Sequence, residues 1–124
     1  MIHWALIAAA GSGLLAVVLG AFGAHGLEQI LGEKGADVFA TALRYHFVHT
    51  LALALAALAP VAGAERRACR WACGLWLAGL VAFSGSLYVL AVSGWQWLGP
   101  ITPFGGVALM IGWFFLMVGG WRGR

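Results

Sequence analysis

The stretch Trp4–Ala24, WALIAAAGSGLLAVVLGAFGA, decides the fold class of this chain. It carries no charged residue, and it is as long as the roughly 20 apolar residues that a helix needs to cross a hydrocarbon core of about 30 Å. Small residues recur along it at every fourth position, at Ala8, Ser12, Ala16, Gly20 and Ala24. Because this spacing places them on one helix face, the stretch is predicted to be a membrane crossing that packs closely against another helix.

The composition of the whole chain is that of a membrane protein. Of its 124 residues, 63% are hydrophobic and only 9% are charged, and the mean hydropathy is +0.94. A chain of this length holds about four crossings and no separate soluble domain. The net charge of +3 comes from basic residues that flank apolar runs. They form no basic stripe, so nucleic-acid binding is not expected.

Three further apolar runs complete the prediction of an all-α, four-helix membrane bundle in a single domain over residues 1–124. The helices are expected at about residues 4–24, 37–59, 71–93 and 103–121, with a short interfacial segment between the first two. Gly32 and Gly35 are expected to break the chain in that segment. Thr102 is predicted to cap the fourth helix, with Pro103 at its favoured first position. A second small-residue face follows on this helix, at Gly105, Ala108, Gly112 and Gly119.

Arginines and tryptophans indicate the orientation of the chain. With four crossings, both termini and the loop before the third helix share one side, which holds Arg66, Arg67, Arg70, Arg122 and Arg124. The positive-inside rule places this side in the cytoplasm, most simply at a bacterial inner membrane. Trp4, Trp71 and Trp121 mark the same boundary. Cys69 and Cys73 lie beside the basic loop, so a structural disulfide is not expected.

Ionisable side chains in the second helix form the main candidate site. Arg44, Tyr45, His46 and His49 lie in its first half, and such groups are costly in a membrane unless they face protein, water or a ligand. His46 and His49 are three residues apart on one helix face, a spacing that suits a shared metal, a haem or a proton relay. Our preferred interpretation is structural: Arg44 extends toward the membrane surface, and the histidines hydrogen-bond neighbouring helices.

Other polar residues extend this candidate site. His25 ends the first helix on the same predicted side, so His25, His46 and His49 are a candidate metal or haem set; alternatively, His25 bonds free carbonyls at the helix end. A carboxylate from Glu28 or Asp37 is a candidate to orient a ring nitrogen or to pair with Arg44. Ser84 and Ser86 are expected to bond a neighbouring helix, since no base that would activate a nucleophile lies near them. The candidate ligand or ion-pathway residues are His25, Glu28, Arg44, Tyr45, His46, His49, Ser84 and Ser86.

Four motifs resemble those of a known family. They are, in order, Gly23-Ala-His-Gly-Leu27, Tyr45-His46 with His49, Phe83-Ser-Gly-Ser-Leu-Tyr88, and Leu98-Gly-Pro-Ile-Thr-Pro-Phe-Gly-Gly106. Together they resemble the domain-of-unknown-function 423 family, which is related to the transmembrane protein 256 family. The resemblance covers nearly the whole chain and implies a small multi-helix membrane protein. It implies no particular biochemical activity.

The sequence therefore predicts a small polytopic membrane protein. Enzyme activity is the function class with the least support, because no constellation of acid, base and nucleophile is visible. The preferred function is structural or accessory, with the protein packed in the lipid bilayer as a homo-oligomer or against another membrane protein. One alternative is a small-solute, proton or ion pathway through the His and Arg cluster. The other is haem or metal binding by the histidines. No motif specifies a cofactor.

Overall fold

Four long apolar helical spans make up the protein, as described by a computed structural model of residues 1–124. The elements are α1 (His3–Gly23), α2 (Leu27–Leu58) with a 3₁₀ turn (Ala59–Ala62), α3 (Arg66–Leu80), a π-helical segment (Val81–Gly85), α4 (Ser86–Ser93), a second 3₁₀ turn (Gln96–Ile101) and α5 (Thr102–Arg122). Helix α3, the π-helical segment and α4 form one continuous third span. Each of the four spans is long and apolar enough to cross a membrane, and there are no strands. The predicted all-α membrane bundle is confirmed.

The connection between the first two spans contains a short helical stretch that a kink separates from the rest of α2. Helix α2 begins at Leu27, directly after Gly26, and it is kinked at Gly32, which has φ 76° and ψ 170°. Glycine adopts positive φ at no steric cost, so the expected break occurs at this position. Gly35 is not a break, because it lies within the helix and a Cβ there would approach the Ala91 carbonyl at 3.3 Å. Gly35 is therefore a close-packing position, and the long straight part of α2 begins before the predicted residue 37.

Helix α1 packs along α2 through small side chains. The buried residues of α1 are Ala5, Ala9 and Ala16. A Cβ on Gly20 would lie 3.6 Å from the side chains of both Leu43 and Phe47. In lipid, where helices gain little from burying apolar surface, such close contact supplies much of the attraction between them. Ala24, the last member of the predicted face, is exposed because α1 has already ended.

Three glycines seven residues apart join α5 to α3. They are Gly105, Gly112 and Gly119, and all three are buried. A Cβ on Gly112 would lie 2.5 Å from Nε1 of Trp76, and one on Gly119 would lie 3.2 Å from Sγ of Cys69. Trp76 is fully buried and donates its indole N–H to the Leu109 carbonyl at 3.0 Å. The small-residue face predicted for this helix is thus the face that contacts α3.

Thr102 does not cap α5 as predicted. The residue before the helix is Ile101, whose backbone is itself helical, and no side chain caps this end. Since the chain enters α5 from a 3₁₀ turn, no extended residue is present to turn a side chain back onto the first N–H groups. The Thr102 hydroxyl instead lies 2.8 Å from the hydroxyl of Ser86.

Both chain termini lie at one end of the bundle, where they contact the end of α2 and the loop that follows it. Three backbone hydrogen bonds hold them there: Ile2 to Ala57 at 2.8 Å, Glu65 to Gly119 at 2.8 Å, and Arg124 to Gly63 at 2.9 Å. We call this end the basic end, because it holds Arg66, Arg67, Arg70, Arg122 and Arg124. The opposite end carries Lys34 and the stacked indoles of Trp95 and Trp97.

Gly112→Ala tests the contact between α3 and α5. The new methyl group would meet the Trp76 indole at 2.5 Å, so the variant should lose about 1–3 kcal/mol of unfolding free energy in mixed detergent micelles. Gly120→Ala is the matched control, since a Cβ there meets nothing within 4 Å. Equal unfolding free energies for the two variants would contradict this packing.

Candidate functional site

A chain of hydrogen-bonded side chains crosses the bundle near the midpoints of the first two spans. The Ser12 hydroxyl lies 2.9 Å from Nε2 of His46 and 2.6 Å from Oγ1 of Thr50. On its other side, Nδ1 of His46 lies 2.9 Å from the Tyr88 hydroxyl. We call Ser12, His46, Thr50 and Tyr88 the polar chain. It connects α1, α2 and α4, and it lies about halfway along α1.

The local sequence explains how these groups come together. His46 and Thr50 are one helical turn apart, so they share a face of α2. Next to Ser12, Gly13 presents no side chain, and a Cβ there would lie 3.5 Å from the Thr50 methyl carbon. An unsatisfied polar group costs several kcal/mol in hydrocarbon. No buried side-chain nitrogen or oxygen in the protein lacks a hydrogen-bond partner.

The polar chain can hold its protons in two orders, because a neutral histidine carries one ring proton. With the proton on Nδ1, His46 donates to Tyr88 and accepts from Ser12, which in turn accepts from Thr50. The Tyr88 hydroxyl hydrogen is then free. With the proton on Nε2, every bond reverses, and the Thr50 hydroxyl hydrogen is free instead. The tautomer of His46 therefore decides which end of the polar chain offers a donor.

A cavity of about 430 Å³ lies beside the polar chain, between α1 and the third span. Its polar lining comes from Ser12, His46, Ser84 and Tyr88, and the rest of the lining is small or apolar, without a charged residue. Leu15 and Val81 line the cavity and are 53% and 71% exposed, so the opening faces the lipid. We call this space the midplane cavity.

The π-helical segment forms one wall of the midplane cavity. Ser84 within it is buried, and its hydroxyl donates to the Ala42 carbonyl of α2 at 2.9 Å. Behind the segment, Gly105 of α5 packs directly against the Phe83 backbone, where a Cβ would not fit. Single π-helical turns occur frequently at functional sites. This irregularity therefore supports the assignment of a site here.

His49 is fixed in one tautomer. The indole Nε1 of Trp113 can only donate, so the His49 Nε2 that lies 3.0 Å from it must accept. The proton then resides on Nδ1, which donates to the Tyr45 carbonyl at 2.9 Å. Because both ring nitrogens are occupied, His49 offers no lone pair to a metal. Its role in this arrangement is to fasten α5 to α2.

The remaining predicted site residues lie apart from the polar chain. His25, Glu28 and Arg44 are exposed, and the half-exposed ring of Tyr45 packs on Phe83 with the ring centroids 4.5 Å apart. Ser86 donates to the Phe83 carbonyl at 2.9 Å and does not line the midplane cavity.

The structure does not bring the three candidate histidines together. No group of three or more potential metal-binding side chains is present. His25 follows the end of α1, which rises roughly 16 Å beyond Ser12 at 1.5 Å per residue. Glu28 does not pair with Arg44 either, because the only ion pair joins Arg122 to Glu65 at 3.9 Å.

Sequence reasoning missed three of the four residues of the polar chain. It assigned Ser12 to packing and left Thr50 out, although Thr50 follows His46 by one helical turn, a signal that was available. Tyr88 appeared in a motif without an assigned partner, and Trp113, which bonds His49, was not considered as a site residue. Their partners depend on which helices are neighbours, and the spacing within one helix does not reveal that.

Comparison with known proteins identifies the family. A family model described as "Protein of unknown function (DUF423)" matches residues 19–106. The chain belongs to the DUF423 family. This confirms the resemblance predicted from the four motifs.

Relatives of this DUF423 protein match it over most of their length. The UPF0382 membrane protein YwdK of Bacillus subtilis is 44% identical over 113 residues, which cover 91% of this chain and 92% of the relative. The UPF0382 inner membrane protein YgdD of Escherichia coli is 42% identical over 120 residues, covering 94% and 88%. A UPF0382 membrane protein of Haemophilus influenzae is 39% identical over 113 residues, covering 91% and 90%. No solved structure matches the chain.

These names describe membrane proteins and assign no reaction or ligand. Together with the four apolar spans, they confirm the prediction of a multi-pass membrane protein of a family without an assigned biochemical function.

Trp113→Phe tests the bond that fixes His49. The variant keeps an aromatic ring but leaves Nε2 of the buried His49 without its donor, which should cost about 1–3 kcal/mol of unfolding free energy. Trp121→Phe is the control in the same helix, because Trp121 is 90% exposed. The assignment is wrong if the two variants unfold alike in mixed micelles.

Proposed function

We propose that this DUF423 protein is a non-enzymatic membrane protein that binds a hydrophobic molecule from the bilayer in the midplane cavity. The observation that carries the proposal is the placement of His46 and Tyr88 on the lining of a cavity whose rim, at Leu15 and Val81, faces lipid. A molecule dissolved in the hydrocarbon reaches this cavity without crossing water. The volume of about 430 Å³ lies within the range of small-molecule sites.

The lining chemistry defines the class of ligand. No charged side chain lines the cavity, so a charged molecule would lose its hydration without compensation. An apolar molecule that carries a hydrogen-bond acceptor, such as a carbonyl or ether oxygen, fits better. Its acceptor would take the free Tyr88 hydroxyl hydrogen and stabilise the order in which His46 is protonated on Nδ1.

The two other functions considered from the sequence have weaker support. A proton or ion pathway needs a polar route between the ends of the bundle, but apolar clusters flank the polar chain, around Trp76 on one side and Phe39 on the other. A haem or metal site on His25, His46 and His49 would require His49 to lose one of its two hydrogen bonds. It would also require His25 to move toward His46 from beyond the end of α1.

We also propose that the protein associates with a second copy or another membrane protein through the outer face of α2. The specific support is Arg44, which is exposed, lacks an ion pair and lies only two residues from His46. A guanidinium that faces hydrocarbon is costly, and an acceptor on a partner would relieve that cost. A single species of monomer mass in mild detergent would contradict association.

The orientation that we propose places both termini in the cytoplasm of a bacterial cell, with the protein in the inner membrane. It is supported by the concentration of arginines at the basic end and by the name of the Escherichia coli relative, an inner membrane protein. Arg124→Cys tests it, because Arg124 is exposed whereas Cys69 and Cys73 are buried. A membrane-impermeant maleimide should label this variant in inside-out vesicles and not in intact cells.

Gly11→Phe tests the midplane cavity. Gly11 lines the cavity, and a Cβ there meets nothing within 4 Å, so the new ring should fill the space without a clash in the backbone. Organic extraction of the purified wild-type protein followed by mass spectrometry should find a retained hydrophobic compound, and the variant should lose it. Gly120→Phe, also in open space, is the control that should retain it.

Tyr88→Phe separates hydrogen bonding from filling of the cavity. It keeps the ring but removes the hydroxyl, so retention should fall by about fivefold to tenfold, the equivalent of one hydrogen bond of roughly 1–1.5 kcal/mol. Unchanged retention in both Tyr88→Phe and Gly11→Phe would disprove binding at this cavity.

A further inference from the structure

A second cavity, of about 770 Å³, lies at the basic end and shares no residue with the midplane cavity. Its lining consists of Trp4, Arg66, Arg67, Arg70, Trp71 and Gly74. Half of these residues are arginines, and none is a carboxylate. Since the only ion pair in the protein joins Arg122 to Glu65, all three guanidiniums are free of acidic partners. We call this space the basic cavity.

The basic cavity follows from the spacing of residues on α3. Arg66, Arg70 and Gly74 recur at every fourth position, so they form one stripe along the helix. Arg67 and Trp71 form the neighbouring stripe in the same way. Gly74 contributes no side chain, and a Cβ there would meet nothing within 4 Å, so the basic cavity extends to the backbone of α3 at this position. Trp4, near the start of α1, forms the opposite wall.

The flanking aromatic residues place this cavity at the level of the lipid headgroups. Trp4 and Trp71 are 42% and 56% exposed, at the ends of two membrane spans. Tryptophan is enriched at that depth because its amphipathic ring suits the boundary between water and hydrocarbon. Three arginines at the same depth face the layer in which phospholipids carry their phosphates.

We propose that the basic cavity binds the headgroup of an anionic phospholipid, whose phosphate is held by the guanidiniums of Arg66 and Arg70. Guanidinium presents two parallel N–H donors to phosphate oxygens, a bidentate geometry that ammonium lacks. Basic pockets at the ends of membrane helices suit such headgroups. The site is separate from the midplane cavity, so this proposal does not depend on a ligand being bound there.

A lipid accounts for the surroundings of the cavity better than free phosphate does. The residues that line the two cavities form one continuous stripe on each helix: Trp4, Ala8, Gly11 and Leu15 on α1, and Gly74, Leu77 and Val81 on the third span. The stripe on α1 extends about 10 Å from Trp4 to Gly11 at 1.5 Å per residue. An acyl chain attached to the bound headgroup would follow these apolar stripes, whereas inorganic phosphate would leave them unused.

Native mass spectrometry of the full-length protein in mild detergent tests the proposal, with phosphatidylglycerol as the anionic probe and phosphatidylcholine as the zwitterionic one. The wild-type protein should retain the anionic lipid about thirtyfold better, the ratio that corresponds to the attraction of two arginines near the membrane surface for one negative charge. The double variant Arg66→Gln/Arg70→Gln should lose this preference.

The matched control is Arg122→Gln/Arg124→Gln, which removes the same charge from the same end but lies outside the basic cavity. It should keep the preference. Arg66→Lys/Arg70→Lys retains the charge but loses the bidentate geometry, and it should bind with intermediate strength. Circular dichroism of each variant confirms that the helices are intact, and the use of purified protein removes any effect of the substitutions on membrane orientation.

Three outcomes would overturn the assignment. Equal retention of the two lipids by the wild-type protein would show that the cavity does not select an anionic headgroup. An equal loss in both glutamine variants would show that only the overall charge of the basic end matters. Displacement of the lipid by excess inorganic phosphate would identify a phosphate site in place of a lipid site.

Discussion

The requirement that every polar group inside a membrane bundle be bonded to another protein group governs this structure. Hydrocarbon supplies neither donor nor acceptor, so a buried histidine or hydroxyl is tolerated only where neighbouring helices provide its partners. His46 meets this requirement with Ser12 on one side and Tyr88 on the other, and His49 meets it with Trp113 and the Tyr45 carbonyl. These bonds join α2 to each of its neighbours, so the mutual position of the four spans depends on them.

Close packing by small residues makes those bonds possible. The Ser12 hydroxyl reaches two side chains of α2 because Gly13 and Ala16 allow α1 to approach. On the other side of the bundle, Gly112 accommodates the Trp76 indole, which leaves its N–H free to reach a carbonyl of the facing helix. Packing and hydrogen bonding therefore support the same arrangement of helices, as expected for a sequence that specifies a single structure.

The sequence predicted the four spans well because crossing a membrane requires only length and apolar character, both of which are local properties. It also indicated the glycine face of α5, since Gly105, Gly112 and Gly119 recur at a helical period. The polar chain was harder to predict. In a soluble helix, apolar residues that recur about every 3.6 positions mark the face that packs in the interior, because the opposite face is polar. In lipid, the outer face is as apolar as the interior, so nothing along α1 marks Ser12 as the residue that meets His46.

The remaining differences have similar physical origins. Gly32 and Gly35 are three positions apart, and the sequence does not distinguish them. The helix kinks at Gly32, whereas Gly35 packs against Ala91. That contact depends on the position of the third span, which the local sequence does not reveal. Thr102 matched a capping pattern, but the helical 3₁₀ turn before it removed the extended residue that a cap needs. His25 was grouped with His46 by side of the membrane, and the length of α1 keeps them apart.

The π-helical segment also constrains how this family can change in length. A π turn absorbs one residue more than an α turn, so the third span carries an extra residue relative to a continuous helix. Loss of one residue within Val81–Gly85 would return this segment to regular α winding and leave Tyr88 directed toward His46. Loss of one residue from the regular helix between Gly85 and Tyr88 would instead rotate the phenol by about 100°, away from His46. The bonds at the centre of the bundle therefore tolerate a change of length inside the π-helical segment and not in the helix after it.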